Sequence, residues 1–186
     1  MVNETELRNN DYIRQTIYDM AYTGVLQHKH IIKKKVVANG YVNRIIQFSE
    51  KYNLPPIKIA KQIRGESHFN FLARGDNYGG VFHSFGCAQI MMKYHTGKMY
   101  YLDNGELGKH FKKLEREGKP INYKKYLFRI VYNVELQCML MREFLNRFGD
   151  YETALLSYGC GSNSKSFKKY RSYKKKPLKY IRNIMD

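Results

Sequence analysis

The residue types best suited to chemistry fall in two stretches, Ile63-Arg64-Gly65-Glu66-Ser67-His68-Phe69-Asn70 and, further on, Gly86-Cys87-Ala88-Gln89-Ile90-Met91. A Glu that closes an amphipathic segment, followed by a glycine-rich run and an apolar Gly-x-x-Gln segment, describes a carboxyl group set beside a cleft. Such a carboxyl can serve as a general acid or base. The plainer reading is a solvated Glu in the last turn of a helix, because one Glu near Ser and Gly is a weak motif by itself.

The elements around Glu66 follow from periodicity. Ile59, Ala60 and Ile63 share one helical face and Pro55-Pro56 suits a first helical turn, so the helix is expected to end just after Glu66. Partial burial against Phe69 or Ile63 and the negative end of the helix dipole would both raise the Glu66 pKa and make it a proton donor. Upstream, Tyr41, Val42, Ile45, Ile46 and Phe48 predict an amphipathic helix that stops near Asn53-Leu54-Pro55-Pro56. Between Asn70 and Gly86, the glycines Gly75, Gly79 and Gly80 with Asp76, Asn77 and Ser84 predict turns or a small irregular hairpin.

Leu127, Ile130, Val131, Val134, Cys138, Met141, Leu145 and Phe148 give the strongest periodicity, a long core helix stopped by Gly149. Asp150 and Glu152 then open a further helix that turns Ala154, Leu155 and Tyr158 inward before Gly159 and Gly161. From Lys93 to Lys125 the pattern is poor, with Tyr94, Tyr100 and Tyr101 among lysines and a turn at Asp103-Asn104-Gly105, and the run reads as surface. The expected fold is mainly α, a helical lobe around one long core helix with a small β-hairpin region walling the cleft. Residues 1–35 are expected to form an N-terminal arm or short helix with a basic connector, and residues 36–186 the domain.

A length of 186 residues with 43% hydrophobic content fits one globular domain that buries roughly 70% of its unfolded surface. The net charge of +17, from 33 Lys and Arg against 16 Asp and Glu, calls for an anionic partner, nucleic acid or an acidic cell-wall polymer. Phe167, Tyr170 and Tyr173 in the basic tail from Ser164 to Lys176 are read as part of a solvated face. Cys87, Cys138 and Cys160 are odd in number and irregularly spaced, which fits reduced thiols rather than a disulfide framework. No base and third group are legible that would make one of them a nucleophile. His28-Lys29-His30 lacks a third metal ligand nearby, so no metal and no cofactor is expected. The opening residues are polar and acidic, unlike a signal peptide, and no apolar run reaches membrane-spanning length.

Taken in order, Glu66-Ser67-x-Phe69-Asn70, Gly86-x-x-Gln89-Ile90-Met91 and Tyr158-Gly159-Cys160-Gly161 resemble the lytic transglycosylase domain of the lysozyme superfamily. That family reads Glu-Ser-x-Phe-Asn-Pro, Gly-Leu-Met-Gln-Ile-Met-Pro and Ala-Tyr-Asn-Ala-Gly. The similarity runs from about Val36 to Ile184, and the ordered triple is far more specific than any single motif. Glu66-Ser67-His68, Gly75-Asp76 and Phe85-Gly86-Cys87-Ala88-Gln89 are also similar to elements of goose-type lysozymes.

The resemblance implies a lysozyme-like fold and cleavage of the β-1,4 bond between N-acetylmuramic acid and N-acetylglucosamine, with Glu66 as general acid. It further implies that Gln89 and Tyr158 bind sugar or orient Glu66, and that Ser67 and Met91 line the site. Goose-type enzymes carry an Asp where this chain has Met91, which favours transglycosylation. In that reaction Glu66 turns base toward the muramic C6 hydroxyl and leaves a 1,6-anhydro end. Asp76 keeps a hydrolytic alternative open as the second carboxylate. Gly159 and Cys160 in place of Asn-Ala, Phe71 and Met92 in place of Pro, and Gly75 in place of the family's Ser depart from the pattern. They leave open a third reading, a non-catalytic module that binds wall or nucleic acid. The expected partners are peptidoglycan glycan strands, with other phage virion or tail proteins reached through residues 1–35. Nucleic acid is the weaker candidate. The expected setting is synthesis in a bacterial cytoplasm and action on the wall, from a phage virion or at lysis.

Overall fold

A computed structural model describes residues 4–160 together with Ile181, Ile184 and Met185. The basic tail expected from Ser164 to Lys176, Gly161, the Cys160 thiol and most of the closing helix expected over 177–184 lie outside the described residues.

The fold is mostly helical with one small antiparallel sheet. Helices α1 (Glu4–Leu26), α2 (Lys34–Lys51) and α3 (Pro56–Ser67) lead into strands β1 (Arg74–Tyr78), β2 (Val81–Phe85) and β3 (Ile90–Met91). Helix α4 (Met92–His95), two short 3-10 turns, α5 (Glu106–Arg116), α6 (Tyr123–Leu127), α7 (Ile130–Phe148) and α8 (Tyr151–Cys160) follow. The strands lie in the order β1-β2-β3. Gly79 and Gly80, at φ 61° and 82°, make the two-residue turn between β1 and β2, a conformation that glycine adopts without strain. The hairpin is therefore more regular than the glycine-rich sequence implies, apart from Asp76, whose φ of 50° interrupts the pairing between Gly75↔Ser84 and Asn77↔Phe82.

The segment expected as an arm or short helix is instead a helix of 23 residues packed on α2 and α3. Ile17, Ala21 and Val25 recur every four residues, and all three are fully buried in the main core. Each large apolar side chain withdrawn from water contributes about 1.5–3 kcal/mol, enough to bind α1 into the domain. Gly24 permits the closest approach, since a Cβ there would stand 2.7 Å from both the His68 carbonyl oxygen and the Phe69 ring.

The run from Lys93 to Lys125, expected as surface, supplies much of a second core. Met99, Leu102, Leu107 and Phe111 pack with Phe85, Ile90, Leu127, Leu136 and Leu140. Their pattern is illegible because they sit on helices of three to eleven residues, too short to display a period. A buried carboxylate ties this lobe to α2. Glu135 on α7 accepts from Lys51 Nζ at 2.6 Å and from the Asp103 backbone N–H at 2.9 Å.

The long core helix expected from Leu127 is broken at Phe128-Arg129, where Arg129 takes an extended conformation as the cap of α7. The break turns the Leu127 carbonyl toward Asn133, which becomes important at the site.

Candidate active site

Glu66 occupies the last turn of α3, half-buried. The helix ends because His68 and Phe69 both enter the left-handed region, at φ 52° and 62°. For a bulky Phe this is uncommon and must be held by its surroundings. Three tethers do so. The Phe69 ring is fully buried edge-on to Tyr41 at 5.1 Å, and the Tyr41 hydroxyl donates to the Phe69 carbonyl at 3.0 Å. The Ser67 hydroxyl donates to the Cys87 carbonyl at 2.7 Å and accepts from the Asn70 N–H at 3.2 Å. His28 and His30 reach the same turn from the connector after α1, at 3.0 Å from the His68 carbonyl and 3.2 Å from Asn70 Oδ1.

The Gly86-to-Gln89 loop is bracketed carbonyl by carbonyl. Asn133 Nδ2 donates to the Phe85 carbonyl at 3.0 Å and to that of Leu127 at 2.9 Å. Gln89 Nε2 donates to the Gly86 carbonyl, Ser67 to that of Cys87, and Tyr158 to that of Ala88. Asn133 Oδ1 accepts from the Ala88 N–H at 2.8 Å and the Cys87 thiol at 3.2 Å, so both ends of this buried amide are satisfied. Gly86 is required twice over, by its φ of 80° and because a Cβ would fall 2.2 Å from Asn133 Nδ2.

Tyr158, bonded to this loop, also lies within electrostatic reach of Glu66. Its hydroxyl is pushed well above the ordinary value of 10.0, first by burial and second by the charge of Glu66. The phenol thus stays protonated and remains a donor. Burial pushes the Cys87 thiol up to about 12, so the group is a protonated thiol and not a thiolate nucleophile.

The other residues singled out by sequence are placed differently from one another. Ser67 and Gln89 come into the site but are engaged with protein, since Gln89 Oε1 also accepts from Ser84 at 3.1 Å. Gly75 lies directly beneath that amide: a Cβ there would stand 2.1 Å from Gln89 Oε1 and 2.8 Å from Ser84 Oγ. No side chain fits at this position without moving that amide. Met91 is half-buried where β3 meets α4, opposite Ser84. Asp76 is exposed on β1 and takes no part in the brackets around the loop.

Sequence reasoning missed Asn133, Tyr41, His28 and His30. For Asn133 the signal was an Asn beside Val134, inside the apolar repeat of this helix. For the two histidines there was none, because their partners lie forty residues away. Their rings stand 5.7 Å apart with Nε2 of each turned to the Glu66 turn. Among the described residues no group of three His, Cys, Asp or Glu is arranged to hold a metal, and no helix is long and apolar enough to cross a membrane. Comparison with family models, curated proteins and solved structures finds no match to this chain.

Proposed function

We propose that this chain is a peptidoglycan-cleaving muramidase of the lytic transglycosylase kind, with a lysozyme-like fold and Glu66 as general acid and then base. One observation carries the reading: Glu66 is half-buried at the C-terminal turn of α3, and its charge bears on the Tyr158 hydroxyl that is bonded to the Gly86–Gln89 loop. A carboxyl in its neutral form is what protonates a leaving glycosidic oxygen, and that is the role this reading gives Glu66. After the bond breaks, the same group as carboxylate would take the proton of the muramic C6 hydroxyl. An alcohol already held at the reacting carbon has a large effective concentration and outcompetes water.

The hydrolytic alternative needs a second carboxylate to position water, and Asp76 is its candidate. The exposure of Asp76 and its absence from the loop brackets favour the transglycosylase reading. The net charge of +17 suits a wall bearing carboxylates or other anionic polymers. A phage product acting from the virion or at lysis fits this activity, and any virion partner reached through residues 1–35 would meet the outer face of α1, because its inner face is buried in the domain.

Turbidity clearing of purified sacculi tests the assignment. Wild type should lyse them and Glu66→Gln should not, while still sedimenting with the sacculi. Mass spectrometry of the released fragments should find 1,6-anhydromuramic ends. Reducing ends would move the assignment to a hydrolase, and no lysis by wild type to a binding module.

A further inference from the structure

We infer that His28 and His30 are positioning residues for Glu66, so that the connector between α1 and α2 belongs to the working parts of the site. The inference rests on the reading of Glu66 as the acid. Glu66 is two residues from a turn whose backbone is in a sparsely populated conformation at both His68 and Phe69. Such a turn has lower-energy alternatives, and which one the chain adopts sets what surrounds the last turn of α3, where Glu66 sits.

The two histidines act on opposite sides of that choice. His28 Nε2 lies 3.0 Å from the His68 carbonyl, the group that the left-handed conformation turns toward α1. His30 Nε2 lies 3.2 Å from Asn70 Oδ1, which in turn accepts from the Leu72 N–H at 3.0 Å. Because that N–H can only donate, the amide of Asn70 is fixed with its oxygen facing both groups. Carbonyl and amide oxygens only accept, so each imidazole must carry its hydrogen on Nε2. The Ser67 hydroxyl and the Tyr41 phenol hold the inner side of the same turn, and the histidines hold the outer side, where solvent would otherwise compete. Gly24 completes the arrangement by letting α1 come within contact of the His68 carbonyl.

Neither histidine touches substrate in this arrangement; each acts through the turn. Their replacement should therefore lower turnover and leave wall binding unchanged. A misplacement of the acid of even an ångström costs on the order of 100-fold in rate, and His28→Ala/His30→Ala should lose at least tenfold in kcat with KM and sedimentation on sacculi as in wild type. Glutamine places an amide Nε2–H near the position of the imidazole Nε2, so His28→Gln/His30→Gln should recover most of the lost rate. His30→Ala alone removes an exposed side chain and should fold, with faster amide exchange at Leu72 as its direct signature.

The lysis assay with Glu66→Gln separates the two levels. If wild type lyses, Glu66→Gln does not, and His28→Ala/His30→Ala retains wild-type kcat, the inference is wrong and the acid assignment stands. A raised KM with unchanged kcat, or a failure of glutamine to restore a folded double variant, also overturns it. If wild type and Glu66→Gln behave alike, the acid assignment fails and takes this inference with it.

Discussion

The hydroxyl of Tyr158 donates to the carbonyl of Ala88 at 2.7 Å, joining α8 to the loop before β3 across seventy residues of sequence. Ser67, next to Glu66 in α3, makes the matching bond to the preceding carbonyl, and Asn133 on α7 takes the remaining inward-facing groups. Three helices thus fix one short loop, and the loop fixes where the Tyr158 phenol stands relative to the Glu66 charge.

Removal of that hydroxyl separates its two roles. Tyr158→Phe leaves the Ala88 carbonyl without its donor, at a cost of about 1–3 kcal/mol. The same variant removes the phenol beside Glu66, so lysis should fall further than the loss of folded protein explains. Thermal melts set against initial rates on sacculi check this, and a rate that simply tracks the folded fraction would deny the phenol a part in the chemistry.

Asn133 should be the least replaceable polar residue of α7. Asn133→Leu removes the acceptor of the Ala88 N–H and one donor each from the carbonyls of Phe85 and Leu127 in the interior. Expected destabilisation is about 3–5 kcal/mol by urea unfolding, in the range for breaking a buried network. Asn133→Asp should be no better, since it sets carboxylate oxygens against the two carbonyls that now receive Nδ2.

Gly75 and Gln89 should couple. In Gly75→Ala the new methyl would overlap Gln89 Oε1, so the amide must leave the Gly86 carbonyl and the Ser84 hydroxyl. That costs about 1–3 kcal/mol. Once Gln89 is already alanine, only the Ser84 hydroxyl, 2.8 Å away, is left to turn aside, and Gly75→Ala should cost less than in the wild-type background. A double-mutant cycle by urea unfolding measures the difference, and additive effects would show that the two side chains do not meet.

Where an element presents a long apolar face, its place was legible. The spacing of Ile59, Ala60 and Ile63 locates α3 and puts Glu66 in its last turn, and Val134, Cys138 and Met141 locate α7. Two kinds of information were not local. The core formed by Met99, Leu102, Leu107 and Phe111 is assembled from pieces too short to carry a period, so it read as surface. The grip of His28 and His30 on the Glu66 turn, and the inward engagement of Ser67 and Gln89, depend on which backbone carbonyls the fold brings near. Residue type alone marks such a side chain as polar and no more.

Cys87 makes a prediction at alkaline pH. Its thiol donates to Asn133 Oδ1 and is pushed up to about 12 from an ordinary 9.0, chiefly by burial. Above pH 9 the unfolded chain releases this proton while the folded chain keeps it, so the folded state binds more protons and stability falls as pH rises. The contribution is fully present below about pH 9 and is lost progressively up to about pH 12, at about 1.4 kcal/mol per pH unit for this one group. Cys87→Ser keeps a donor for Asn133 and does not titrate in that window. Urea unfolding at intervals between pH 8 and pH 11 should therefore give Cys87→Ser a shallower decline than wild type by that amount per unit. Parallel declines would mean that the wild-type thiol ionises as readily inside the fold as outside it, and that the closed seam between α7 and the loop admits water.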